Sequence, residues 1–375
     1  MNSIVADRRA LHRIPELDRS LDRTMAYLRE ALAPLDCALS SPIPGSLCAY
    51  FDNGMPRTLA FRSDADALPV QEETHLPFAS GIPGRMHACG HDGHMAMLLE
   101  LARRLNRAQA DYNFLLIFQP AEETTGGARD VCESGVLRKC NAEAVFGMHL
   151  WPGLPAGQIA SRAGEMMSRS CEVTAQIEGR ASHIARAEEG RDALRAGVEL
   201  VRRAGEIEAA WPEHIFRLLR FGRMESGSVR NAVSDHTRLE GTLRAFQDEV
   251  FFAMLDALRE ACADIEAASG CRVRLSTSDG YPAVINPPEL CDRVRACGAD
   301  YLELPRPVMI TEDFSWYQRY LPGMFFFLGT GDTPALHSGA FNFDETILEA
   351  GADFWERLAL NFHESHTTTH RRKPS

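Results

Sequence analysis

Positions 87–94 read HACGHDGH, which gathers three histidines and one cysteine into eight residues. Thiolate and imidazole are both good ligands for a divalent transition metal. Cys89 and His91 stand two positions apart, and Gly90 between them lets the backbone turn so that both side chains can face one point. Taken alone, such a pair also serves in structural turns. Further positions share the chemistry. The apolar run YNFLLIFQ leads into PAEETTGG and places Glu122 and Glu123 just beyond it. Adjacent carboxylates repel, and burying both calls for compensating cations. One glutamate could ligate while the other holds a water as general base. AVFGMHL ends in His149, and FFFLGTGDTPALHSGAF carries His337 after a very apolar run. Each of these histidines taken singly reads equally well as a core or loop residue. Together they flank strand-like runs of one pattern.

The elements that must position these residues alternate. From Asn2 to about Arg162, helix-like LDRTMAYLREAL and MAMLLELARRLNRA are interleaved with strand-length RTLAFRSD, YNFLLIFQ and AEAVFGMHL. This alternation predicts an α/β sheet covered by helices, with function beyond the carboxyl ends of the strands. Asp92 is placed to help cap the helix that follows the cluster. The middle differs. SRSCEVTAQIEG alternates with period two, and the run after it reads β-α-β-β-α-β, the ferredoxin-like order. The sequence therefore predicts a first domain over 1–165 and 278–363, interrupted by an inserted α+β domain over 166–277. The stretch 364–375 is expected to be a solvated, disordered tail.

A chain of 375 residues is too long for one small core, which agrees with two domains. The net charge of −12, without a long basic stretch in the body, argues against a nucleic-acid partner. No run approaches 18 apolar residues and the N-terminus has no signal-peptide core, so a cytoplasmic protein without membrane partners is expected. The ten scattered cysteines read mostly as reduced, buried, small apolar residues.

Taken in order, LHRIPEL, FRSDADALPVQEET, GRMHACGHDGHMAMLL, FQPAEET, VFGMHLWPGLPAGQI, GRASH, TEDFSWY and LHSGAFNFDETIL resemble the M20 metallopeptidase clan. The resemblance is to its aminoacylase-like amidohydrolases: hippurate hydrolases, auxin-conjugate hydrolases and N-acetyl-diaminopimelate deacetylases. It implies a zinc-exopeptidase-like catalytic domain, a lid that is also the homodimerisation domain, and two divalent ions per subunit (zinc, manganese, cobalt or nickel). It implies Cys89 as the bridging ligand, with His91, Glu123, His149 and His337 completing the set. Glu122 resembles the general base that deprotonates a metal-bound water and passes the proton to the leaving amine. His183 resembles the lid histidine that polarises the scissile carbonyl. Arg244 and Asn231 resemble the residues that hold the substrate carboxylate and nearby polar groups. Asp66 resembles a supporting acid, and His87 and His94 read as supporting or helix-surface residues.

The implied reaction is hydrolysis of the amide of an N-acyl amino acid, with acetyl first among acyl groups and N-acetyl-diaminopimelate one candidate substrate. The lid departs from the family pattern: GRASHIARAEEG lacks the paired glycines, and NAVS stands where NVIP is usual. These changes bear on substrate identity. Rival readings are a dipeptidase of the same clan, a metal-independent cysteine hydrolase using Cys89 with His91 or His149, and a non-catalytic binding module.

Overall fold

The computed structural model describes residues 3–363, so the predicted tail at 364–375 lies outside the described residues. The chain divides into two compact units. The first comprises residues 3–166, 285–306 and 313–363, and the second comprises 167–284 and 307–312.

In chain order the first unit opens with helices α1 (Ser3–His12) and α2 (Asp22–Leu32) and strands β1 (Ala38–Ser40), β2 (Leu47–Phe51) and β3 (Thr58–Asp64). Helix α3 (His91–Leu105), β4 (Asn113–Gln119), α4 (Gly127–Glu133), α5 (Val136–Lys139), β5 (Ala142–Pro152), β6 (Ile159–Ser161) and β7 (Gly164–Met167) follow. Next come β8 (Arg169–Glu178), α6 (Ala193–Ala209), β9 (Arg217–Ser226), β10 (His236–Ala245), α7 (Asp248–Ser269) and β11 (Arg272–Thr277) of the second unit. The chain then returns through β12 (Val284–Asn286), α8 (Pro288–Ala296), β13 (Leu302–Glu303), β14 (Gly323–Gly331) and α9 (Ile347–Asn361).

The first unit is built on an eight-stranded mixed sheet in the order β1-β2-β4-β3-β5-β14-β6-β13. Every residue of β3 and β4 is buried, as expected for parallel strands covered on both faces. Helix α3 repeats Met95, Leu98, Leu99, Ala102 and Leu105 at helical spacing, and all five are buried in the core it shares with α9.

In the second unit an antiparallel sheet in the order β11-β8-β10-β9 packs one face on α6 and α7. Along β8, Cys171, Val173, Ala175 and Ile177 are buried, while Glu172, Gln176 and Glu178 are exposed. That alternation is what a sheet covered on one side requires, and the β-α-β-β-α-β order is the ferredoxin-like one.

The second unit is longer than the 166–277 span read from the pattern. The Ser278 amide donates to the Glu172 carbonyl at 3.1 Å, and the Ser170 amide to the Tyr281 carbonyl at 3.2 Å. The segment 307–312, read as part of the first domain, also packs here. The Ser168 hydroxyl and the Arg244 Nη1 both donate to the Met309 carbonyl, at 3.1 and 2.5 Å. Held by backbone carbonyls, this loop leaves no apolar period in the sequence. Among the described residues no helix is long and apolar enough to cross a membrane.

Candidate metal centre

Strands β4, β3, β5 and β14 run parallel to one another, so their carboxyl ends lie along one edge of the sheet. Asp64 ends β3, Glu122 and Glu123 follow β4, His149 lies near the end of β5, and His337 follows β14. Three of the four places at which the sequence puts chemistry, with Asp64 beside them, are thus neighbours through topology alone, and Cys89 and His91 join them from the entry to α3.

The cysteine–histidine pair is set by the entry to α3. Gly90 is the residue before the helix, with a left-handed φ of +85°, and a Cβ there would meet Leu150 Cδ1 at 2.7 Å. His91 is therefore the first helical residue, one turn earlier than the apolar period suggests. Asp92 does not cap the helix, contrary to expectation: no side-chain cap bond is made at that end. Its carboxylate is buried and turned toward α1, where Arg8 Nε and His12 Nδ1 donate to Oδ2 at 3.0 and 2.8 Å.

Two histidines are oriented by the same device. His91 Nδ1 lies 2.7 Å from the Asp66 carbonyl oxygen, and His149 Nδ1 lies 2.7 Å from the Leu150 carbonyl oxygen. A carbonyl can only accept, so both protons sit on Nδ1 and both Nε2 lone pairs are bare. His91 Nε2 has no hydrogen-bond partner and lies 3.7 Å from Glu123 Oε1, which has none either. His149 Nε2 lies 3.3 Å from Cys89 Sγ. His337 Nε2 lies 3.4 Å from the same sulfur and 3.3 Å from Glu123 Oε1. Cys89, Glu123 and His337 bring ligating atoms within 4.8 Å of one another, and so do His91, Glu122 and Glu123.

The loop after β4 is held from below. Asp66 accepts the Glu122 amide through Oδ1 at 3.0 Å and the Glu123 amide through Oδ2 at 3.1 Å. Ala121, just before them, is buried with a left-handed φ of +62°, and His337 has a φ of +65°. Such values are uncommon for residues other than glycine and concentrate where surrounding structure imposes them, functional sites included.

The electrostatics favour a cation. Burial, reinforced by Glu123 and Glu122, pushes the Cys89 thiol well above its ordinary value. Burial also raises the Asp66 carboxyl, against the two amides that it accepts. For Asp64 burial acts upward too, but His91, His94 and Arg62 outweigh it and hold the carboxyl well below the usual range. Burial lowers His149 to about 3, so its imidazole is neutral and ready to ligate. A thiol, two imidazole nitrogens without protons and a carboxylate oxygen among imidazoles at one buried place fit divalent transition ions.

Asp64 escaped the sequence reading, and His94 is no helix-surface residue. The Leu150 amide donates to His94 Nε2 at 2.9 Å, so the His94 proton is on Nδ1 and goes to Asp64 Oδ1 at 2.6 Å. Both nitrogens of His94 are used, which makes it a brace between α3, β3 and β5 even though it lies beside His91 and His149. Arg62 extends the brace, donating to Asp64 at 3.0 Å, Asp313 at 2.6 Å and Gln119 at 2.9 Å. The one available signal was an Asp at the carboxyl end of a predicted strand. His87 is buried with both ring nitrogens unpartnered.

The remaining predicted residues lie in the second unit. His183 accepts the Ala185 amide on Nδ1 at 3.1 Å and pairs with Ala232 as an isolated bridge, while the Ile184 amide donates to the Asn231 carbonyl at 2.9 Å. Their two segments are thus neighbours, with both side chains exposed. Arg244 on β10 is half-buried. Its bonds are to the Met309 carbonyl and, at 3.4 Å, to the Thr242 hydroxyl.

Three comparisons bear on this arrangement. Residues 60–361 match the model of Peptidase family M20/M25/M40. An uncharacterized hydrolase from Staphylococcus haemolyticus is 31% identical over 376 residues, covering 96% of this chain and 98% of the relative. Among solved structures, a candidate aminohydrolase from methicillin-resistant Staphylococcus aureus superposes with a TM-score of 0.89 at 29% identity, covering 95% of this chain and 96% of that one. The Bacillus subtilis YXEP protein, described as a dinuclear metal-binding peptidase of the M20 family, superposes with a TM-score of 0.82 at 31% identity and the same coverage. With the family model matched over most of its length, this chain belongs to Peptidase family M20/M25/M40.

Proposed function

We propose that this M20 hydrolase is a metal-dependent amidohydrolase of N-acyl amino acids, N-acetyl amino acids first among them and N-acetyl-diaminopimelate one candidate. The observation that carries the reading is the convergence of the bare Nε2 atoms of His91 and His149 with Cys89, Glu123 and His337 beside Glu122. Cys89, His91, Glu123, His149 and His337 would hold two divalent ions (zinc, manganese, cobalt or nickel), as the dinuclear site named for the Bacillus subtilis relative suggests. Such ions, when bound, lower the pKa of water and offset charge on a carbonyl oxygen. Glu122, 9 % exposed on a loop anchored by Asp66, takes the proton of the attacking water. As the carbon–oxygen bond forms and the carbon–nitrogen bond breaks, Glu122 returns that proton to the leaving amine. His183 donates a hydrogen bond to the scissile carbonyl oxygen, and Arg244, which has a neutral carbonyl and a hydroxyl for partners, grips the free carboxylate with Asn231 beside it.

The reading also makes the protein a cytoplasmic homodimer joined through the second unit. There α6 exposes Leu194, Val198 and Val201 along one stripe. Light scattering coupled to size exclusion tests the dimer.

A panel of N-acetyl amino acids and dipeptides, assayed with each of the four ions, tests the activity. Faster turnover of N-acetyl substrates, abolished by chelation and restored by metal, is expected. Dipeptides turned over faster would make the protein a dipeptidase. Turnover that survives proven removal of metal would point to a thiol hydrolase.

A further inference from the structure

The motif LHRIPEL and the residues before it have no role in the reaction above, yet α1 carries two side chains into the core beside the site. Arg8 is 1 % exposed although it is an arginine. Its guanidinium spans two segments. Nε donates to Asp92 Oδ2 at 3.0 Å, Nη1 to Glu345 Oε1 at 3.0 Å and Nη2 to Asn342 Oδ1 at 3.1 Å. Its plane lies 4.4 Å from the ring centroid of Phe343 and 4.9 Å from that of Phe78, which fixes its orientation. His12, one turn further along α1, reaches the same Asp92 oxygen at 2.8 Å.

The two ends of this clamp matter because of what they adjoin. Asp92 follows His91 directly and stands three positions after Cys89, while Asn342 stands five positions after His337. These segments are some 250 residues apart in sequence, and α1 itself offers no ligand. A single backbone bond, from the His337 amide to the Ala88 carbonyl at 2.9 Å, also joins them. The loop after His337 is also tied by Arg9 on Glu345, by the Glu73 amide on the Gly339 carbonyl at 2.8 Å and by the buried Phe341 and Phe343, but Arg8 is the side chain whose one guanidinium bonds both to this loop and to Asp92 beside His91.

Resting on the metal reading of the site, we propose that Arg8 is a positioning residue for the metal centre. It holds the start of α3, with Cys89 and His91, in register with the loop that carries His337. Partners of this kind tune affinity without touching the ion.

The test compares the parental protein with Arg8→Lys, which keeps the charge and loses the fork, and with Asn342→Ala, which frees only the far end. Zinc and manganese affinities are measured by competition with a chromophoric chelator. Melting temperatures are taken with and without metal, and kcat and KM are determined separately. Arg8→Lys should bind metal about 10- to 100-fold more weakly, lower kcat more than KM rises, and recover activity in excess metal. Its metal-free melting temperature should fall, because buried hydrogen bonds of the fork are lost, while the recovery in excess metal marks the loss of activity as a loss of metal. Asn342→Ala should show a smaller loss in the same direction, and it carries the test if Arg8→Lys fails to fold. Parental metal affinity and kcat in the folded variants would overturn the positioning role and leave the metal reading standing. A parental protein that binds neither ion would overturn the metal reading and this proposal with it.

Discussion

Cys89 Sγ lies 3.3 Å from His149 Nε2, an atom left bare because the Nδ1 proton is committed to a backbone carbonyl. The sulfur needs a cation to ionise in so acidic a pocket, so the pair is a sensitive reporter of metal. Cys89→Ser replaces the thiolate with a hydroxyl that stays protonated. It should lose bound metal on gel filtration, read by elemental analysis, and most activity with it. A Cys89→Ser protein that retained the parental metal content would remove Cys89 from the ligand set.

Glu122 is assigned to proton transfer, with its neighbour Glu123 assigned to ligation. Glu122→Gln should therefore keep its metal while turnover falls on the order of 10²- to 10⁴-fold. Steady-state rates on an N-acetyl amino acid, taken beside the metal content, check this. Parental rates would show that another group takes the proton.

Asp66 holds both glutamates through their amides, one to each carboxylate oxygen. Asp66→Asn turns one acceptor into an amino group facing an N–H donor. The loop should loosen, and kcat should drop about 10- to 100-fold. Amide hydrogen exchange at 121–126 should quicken in the same variant, and unchanged protection there would contradict the anchoring role.

Arg244 faces a neutral carbonyl and a hydroxyl. Arg244→Ala should lower kcat/KM for substrates with a free carboxylate far more than for their carboxamides. Equal losses on both would assign Arg244 to the support of the 307–312 segment.

Burial acts to lower His12, but Asp92 and Glu72 outweigh it and raise its pKa to about 9. A raised folded value means that protonated His12 stabilises the fold fully below about pH 6.5, the ordinary value. That contribution is lost as pH rises through about 9. Melting temperature should fall between pH 7 and 9.5, and His12→Asn, which cannot titrate, should flatten that fall. Parallel melting curves for both proteins would mean that the pair contributes nothing over this range.

Much of the fold could be read from residue patterns because it rests on periodicity. The alternation in β8 and the helical spacing of α3 are direct consequences of which faces are covered. Three of the four chemical segments were legible as strand ends, and Cys89 with His91 as the approach to a helix. Asp64 was not, although RTLAFRSD ends on it: a lone Asp closing a strand-length run reads equally well as a solvated strand end, and β3, buried along its whole length, shows no alternation to say otherwise. His94 was left between a supporting and a helix-surface reading for a related reason: the first turn of α3 is buried all round, so helical spacing could not separate core from surface. Asp92 stood where caps stand, and the buried Arg8 and His12 of α1 explain why its carboxylate turns elsewhere. Segment 307–312 is held through backbone carbonyls, which every residue type carries.

The insertion of the second unit also sets an order of assembly during synthesis. Strand β14 sits between β5 and β6 in the sheet, yet it follows the whole inserted unit in the chain, and His337 comes later still. Translation from His149 to His337 takes about 10 to 40 s at ~5–20 residues per second. For that interval the nascent chain carries four of the five proposed ligands and an unpaired β5 edge, while the self-contained insert can already fold. A ribosome that stalls between the two would release a chain with a sticky edge and an ion trap lacking its last ligand.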